Sequence, residues 1–297
     1  MECSSSTPHF RSISLPSRLS TNHTCMEIET KIYELKAMGN LMSSSQAIQS
    51  GLVGLAELYV CVEELVQSPH TQRALSRHQS GRTVVEDALE GSIGLLESCS
   101  ILKDLILMMK ENVCTLQSAL RRKGNDLKSG HQIATYLCFR KKAKKNINKG
   151  LGALKHLEKK MTLVSFVDVD HHVSMVSKVL VEVNALTISL FKSLLVFISA
   201  NTEMTIRGQL LSRLTSKSKT RDGEDKALEN EFAVVDMATR SLHKSACNNK
   251  MTDDDVQMTI RKLQVLDVSI DGFEAGLNFI YRRLIHSRSS LLNIVVC

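Results

Sequence analysis

No proline follows Pro69; the chain's three prolines, Pro8, Pro16 and Pro69, all lie in its first quarter. Proline costs ~3 kcal/mol inside a helix, so nothing from His70 to Cys297 forbids long ones. Tryptophan is absent and aromatic residues are 4% of the 297. Aliphatic side chains and methionine must therefore fill the core, which fits Leu-rich helix packing better than a β-sandwich. The eight cysteines (Cys3, Cys25, Cys61, Cys99, Cys114, Cys138, Cys247 and Cys297) are far apart and include no C-x-x-C pair. That excludes a local zinc motif and favours free thiols in a reducing compartment, with several acting as small apolar side chains. The first 25 residues lack an apolar core segment, so no secretory leader is expected.

Recognisable catalytic signatures are also missing. Gly91–Ser92–Ile93–Gly94 sits within a helical pattern and lacks the strand that a phosphate-binding loop needs. There is no H-E-x-x-H and no G-x-S-x-G. No enzyme class, cofactor, metal or small-molecule substrate is indicated.

What is present is apolar spacing at three and four residues. Val85, Ser92, Cys99, Ile106, Val113 and Leu120 stand seven apart, and Ala88, Leu95, Leu102, Met109 and Leu116 form a second series offset by three. With Leu89 and Leu96 this predicts a broad bundle face on one long helix, ended by Gly124–Asn125. Near the C-terminus, Val256, Leu263, Ile270, Leu277, Leu284 and Leu291 repeat the period, with Leu266, Phe273, Ile280 and Ile294 between them. Thr252 before three aspartates reads as the N-cap of a helix of about 40 residues, ~60 Å long at 1.5 Å per residue. Gly272 and Gly276 on it suggest a close helix crossing.

Further helices are expected at about Thr24–Met38, after the serines at 43–45, from Pro69 to His78, and at about His131–Met161, Asp170–Ala200, Glu203–Ser216 and Lys226–Cys247. An exposed loop is expected over Lys217–Asp225. Residues 1–22, rich in Ser and Thr and nearly free of acids, read as a disordered tail. Residues 23–297 read as one all-α, elongated antiparallel multi-helix bundle. The most apolar helix, Val173–Ala200, carries Lys178, Glu182 and Lys192, which points to a buried bundle helix over a membrane span.

Charge is concentrated. Residues 121–160 hold 13 Lys and Arg against Asp126 and Glu158, while the remainder holds 25 basic and 29 acidic residues. Arg121, Arg122 and Lys123 close one helix; Arg140, Lys141, Lys142, Lys144, Lys145 and Lys149 follow on the next. This set is read as one basic docking surface for an acidic protein or an anionic membrane, the alternative being a solvated face. Nucleic acid is disfavoured because only Tyr136 and Phe139 are near enough to stack on bases. Asp168–Val169–Asp170–His171–His172 is the best metal candidate, but a helix N-cap with exposed histidines explains it more simply.

In the tail, Arg11 precedes and Pro16 follows the serines Ser12 and Ser14. Phosphorylated Ser14 in this context resembles a ligand of the 14-3-3 class; an unmodified tail or a transit peptide are the alternatives.

Several segments carry a family resemblance. They are His9–Phe10–Arg11–Ser12–Ile13–Ser14–Leu15–Pro16–Ser17–Arg18, Gly51–Leu52–Val53–Gly54–Leu55 with Glu57–Leu58–Tyr59, and Gln117–Ser118–Ala119–Leu120–Arg121–Arg122–Lys123–Gly124. Arg140–Lys141–Lys142–Ala143–Lys144–Lys145, Arg282–Arg283–Leu284–Ile285 and Ser290–Leu291–Leu292–Asn293–Ile294 complete the set. Together they resemble a plant-specific family of unassigned biochemistry described as BYPASS-like, or domain of unknown function 241. One departure is that Cys297 closes the chain where relatives often add a short polar tail. The resemblance implies a regulatory role in root and shoot development and offers no catalytic residues. The expectation is a non-enzymatic regulatory or scaffolding protein acting through protein partners, with a lipid-binding peripheral protein as the alternative. It is expected inside the cell, in the cytoplasm, with nucleus or plastid as the other compartments.

Overall fold

The computed structural model describes residues 17–39, 44–77, 79–122, 127–161, 170–199, 230–248 and 250–296. Every element among them is an α-helix: α1 Ser17–Gly39, α2 Ser45–Gln67, α3 Pro69–Arg77, α4 Gln79–Arg121, α5 Leu127–Met161, α6 His171–Ser199, α7 Glu231–Cys247 and α8 Asp253–Val296. The helix expected over Glu203–Ser216, the loop over Lys217–Asp225 and the tail before Ser17 lie outside the described residues. Two starts come earlier than expected: α1 at Ser17 rather than near Thr24, and α5 at Leu127 rather than near His131. Both leading segments are polar, so apolar period could not mark them.

Local chemistry sets the helix starts. The Ser44 hydroxyl accepts from Ala47 N at 3.1 Å, the Asn230 side chain from Ala233 N, and Thr252 Oγ1 from Asp255 N at 3.2 Å. Asp170 Oδ1 accepts from His172 N at 2.9 Å, so this aspartate is an N-cap. Each such cap satisfies a backbone donor that the first turn leaves without a partner, worth ~1 kcal/mol.

Four helices, α2, α8, α4 and α6, pack in a ring in that order. Gln49 Nε2 donates to Ser269 O at 3.3 Å and Gln67 Nε2 to Ser290 Oγ at 3.1 Å, so α2 and α8 run parallel. Arg288 reaches Leu89 O at one end of the α4–α8 contact and Lys110 reaches Glu274 at the other, so these two are antiparallel. Tyr59 of α2 meets Thr187 at 2.9 Å and Leu55 lies beside Leu190, which sets α6 antiparallel to α2, and Thr71 of α3 meets His172 at 2.9 Å where α6 begins. Outside this ring, α1 lies against α2 and α6, α5 against α4 and α6, and α3 covers one end.

The ring changes partway along. α6 ends at Ser199, while α4, α5 and α8 run on, and α7 packs on α5 and α8 beyond it. The bundle is elongated because α4 and α8 span 43 and 44 residues.

The heptad positions expected to be apolar, all but the half-buried Ala88, lie in one buried cluster that includes Val85, Cys99, Ile106, Val113, Ile270, Leu277 and Leu284. Each such side chain stabilises by roughly 1.5–3 kcal/mol. Ser92, the polar member of its series, is buried and donates to Leu89 O at 2.7 Å. α6 is the one helix among the described residues long and apolar enough to span a membrane by length and composition. Here Val173, Val176, Phe191, Leu194 and Ile198 line the bundle core. The predicted crossing at Gly276 is tight: a Cβ there would lie 2.8 Å from Leu52 Cβ.

Candidate functional site

α5 divides its cations between two environments. Ile133, Tyr136, Ala143, Ile147 and Leu154 are buried, and Arg140 falls in the same register at 3% exposure. Its Nε donates to Asp236 Oδ1 at 2.8 Å and its Nη2 to Asp236 Oδ2 at 3.0 Å. The same Nη2 donates to Ile198 O at 3.0 Å, in the last turn of α6, where a carbonyl has no helical partner. The guanidinium also lies over the Phe232 ring, 5.2 Å from its centroid.

Arg140 is therefore not part of the docking surface to which its sequence neighbours suggested it belonged. It is an interior pin joining α5, α6 and α7. Burial opposes its charge, but Asp236 and Tyr136 more than offset this and its pKa rises. Tyr136 donates to Asp236 Oδ1 at 3.4 Å, and burial above all raises its own pKa.

A second polar group closes the same junction. Asn230 Nδ2 donates to Phe197 O at 2.8 Å, and Glu231 accepts from Ser45 Oγ and, at 3.3 Å, from Ser269 Oγ. Sequence reading missed Asp236, Glu231 and Asn230. The one available signal was that Arg140 occupies an apolar heptad position.

The outer face of α5 differs. Lys141, Lys142, Lys145 and Lys149 are exposed, and Lys144 is half-buried. Among the described residues no carboxylate lies within ion-pair distance of Lys141, Lys142, Lys145 or Lys149. Farther along, Lys160 pairs with Glu90 at 2.7 Å.

Arg121 and Arg122 are exposed at the end of α4, bonded to Gln117 Oε1 and Ser118 O. Arg140 contacts Met109 of α4, which puts Arg121 about 18 Å further along the bundle at 1.5 Å per residue. Lys149 lies in the opposite direction, so the described members of the basic set fall at two separate places along the bundle. Lys123, Ser12, Ser14, Arg11 and Pro16 lie outside the described residues.

The histidine-rich start of α6 is held by packing. Thr71 Oγ1 and His172 Nε2 are 2.9 Å apart, and the His70 and His172 rings meet edge-on with centroids 4.2 Å apart. Asp168 lies outside the described residues, among which no three His, Cys, Asp or Glu side chains converge as a metal site would require. Cys25, Cys61, Cys99, Cys114, Cys138 and Cys247 are free thiols. Burial pushes the Cys99 thiol up to about 12, and burial with a hydrogen bond to Glu27 pushes Cys61 up to about 11, so both are poor nucleophiles.

The arrangement therefore offers a cationic helix face on a packed scaffold, with the buried Arg140 neutralised by Asp236. No curated protein and no solved structure matches the chain. The family model described as Protein BPS1 matches residues 51–294, from the second turn of α2 almost to the end of α8, and the chain belongs to that family, the BYPASS-like one its motifs resemble.

Proposed function

We propose that this chain is a non-enzymatic regulatory or scaffolding protein of plant root and shoot development that works by holding protein partners. In this reading the α5 face bearing Lys141, Lys142, Lys145 and Lys149 docks an acidic segment of one of them. The observation that carries it is the separation of charge along α5. Arg140 is paired inside with Asp236, while the lysines beyond it stand in water on a helix whose other face is fixed in the core. Membership of a BYPASS-like family supports a regulatory role.

Single exposed ion pairs contribute only ~0–1 kcal/mol. A cluster of one sign does more for encounter rate and partner choice, and its effect weakens with salt. Binding through this face is accordingly salt-sensitive.

Proximity labelling with the full chain in root tissue tests the idea, comparing wild type with the variant K141E/K142E/K145E/K149E. Neighbours with acidic segments should be depleted in the variant. An unchanged set of neighbours would overturn the proposal. Charge-dependent sedimentation with phosphatidylserine vesicles, alongside an unchanged protein set, would transfer the face to a membrane role.

A further inference from the structure

α8 carries two heptad series. The first, Val256 to Leu291, is buried. The second faces outward: Met258, Val265, Gly272 and Phe279 stand seven apart, with Arg261, Val268, Ala275 and Arg282 on the alternate positions. Its large members are not incidentally grazed by solvent, because Met258 is 54%, Val265 57%, Val268 71% and Phe279 58% exposed. Between α8 and α2 the same face opens into a groove of about 840 Å³, bounded by Val53, Gly54, Gly272, Ala275, Gly276 and Phe279.

We propose that this face is a docking seam for an amphipathic helix of another protein, one whose apolar heptad stripe is bounded at both ends by acidic residues. Three features select that occupant. A seam repeating every 3.5 residues matches a helix and not an extended peptide. The exposed Ala275 leaves room at the centre of the face for a knob from a closely approaching backbone, whereas the space over Gly272 and Gly276 is already filled by Gln49 and Leu52 of α2. The apolar stretch from Val265 to Phe279, about 21 Å long at 1.5 Å per residue, is bracketed by the exposed cations Arg261 and Arg282. Of the acids beside it, Asp271 pairs with Lys110 at 2.8 Å and Glu57 with Lys31 at 3.1 Å.

A second copy of this chain fits poorly. Antiparallel pairing that interleaves the two series sets Arg261 opposite Phe279 and Arg282 opposite Met258, with no acid for either arginine, and parallel pairing in register sets each arginine opposite itself. Unpaired and like charges at these positions oppose association.

The probe is a fluorescein-labelled synthetic helix of about three heptads, with leucine on its apolar stripe and glutamate at the positions meeting Arg261 and Arg282. A control peptide carries lysine there. The full chain should bind the glutamate peptide at least about tenfold more tightly than the control. V265S/V268S/F279S, all outward-facing, should bind it at least about tenfold more weakly than wild type with an unchanged circular-dichroism melt. R261E/R282E should reverse the preference between the peptides.

Equal affinity for the two peptides, or binding unaffected by the serine substitutions, overturns the proposal. So does a concentration-dependent dimer in sedimentation that the serine substitutions abolish, or vesicle binding that they abolish.

Discussion

Arg140 of α5 and Asp236 of α7 form a two-point ion pair at 2.8 Å and 3.0 Å, with side chains 3% and 1% exposed. It lies where α6 ends and α7 joins the bundle, and it also serves the α6 terminus through Ile198 O. A charge so placed is neutralised only by its partner, because water cannot reach it.

Removing that partner should therefore be severe. Asp236→Ala leaves a buried guanidinium uncompensated and should lower unfolding free energy by about 3–5 kcal/mol. Arg140→Met with Asp236→Leu removes both charges and should recover most of the loss. Urea unfolding of the single and double variants checks this. A double variant no better than the single one would mean that the pair's worth lies in its bonds to Ile198 and Tyr136 and not in mutual neutralisation.

Two glycines should respond with opposite signs to alanine. At Gly276 the added Cβ would come within 2.8 Å of Leu52 Cβ and Cδ1, and α2 and α8 would have to part. Gly276→Ala should cost about 1–3 kcal/mol. Nothing lies within 4 Å of a Cβ at Gly152, inside α5. Gly152→Ala should stabilise by about 0.5–1 kcal/mol, since alanine loses less backbone entropy in a helix. Thermal melts of the two proteins, moving apart from wild type in opposite directions, are the expected result.

His172 should make the α3–α6 contact sensitive to acid. Burial, followed by the neighbouring His70, lowers its pKa below the ordinary 6.5. The unfolded chain then holds more protons than the folded one as pH falls through that range. The contribution of His172 to stability is present above its unfolded pKa and is lost below it. Urea midpoints at about pH 7.5 and about pH 5 should differ more for wild type than for His172→Gln. Identical pH dependence in both proteins would remove His172 from the account.

Much of the fold was legible because helix packing writes a period into the sequence. The series from Val85 to Leu120 and from Val256 to Leu291 needed no coordinates to be assigned to a core. The basic surface was only half legible. A run of cations such as Arg140 to Lys145 looks uniform in one dimension, yet at 3.6 residues per turn a single member points inward. Arg140 shares its register with Ile133, Tyr136, Ala143 and Ile147, and that periodicity is the trace that identifies it. Nothing local identifies Asp236, which meets Arg140 across 96 positions of chain.

The same distinction governs α8. By itself the sequence determined that this segment is a helix with apolar residues on more than one stripe, because side-chain spacing and helical pitch are local properties. Only the tertiary structure decided that Leu263, Ile270 and Leu277 would be covered while Val265, Val268 and Phe279 would remain in water. Coverage depends on where α2 and α4 lie, and neighbours in space are fixed by the packing of the whole chain, which no single stripe encodes.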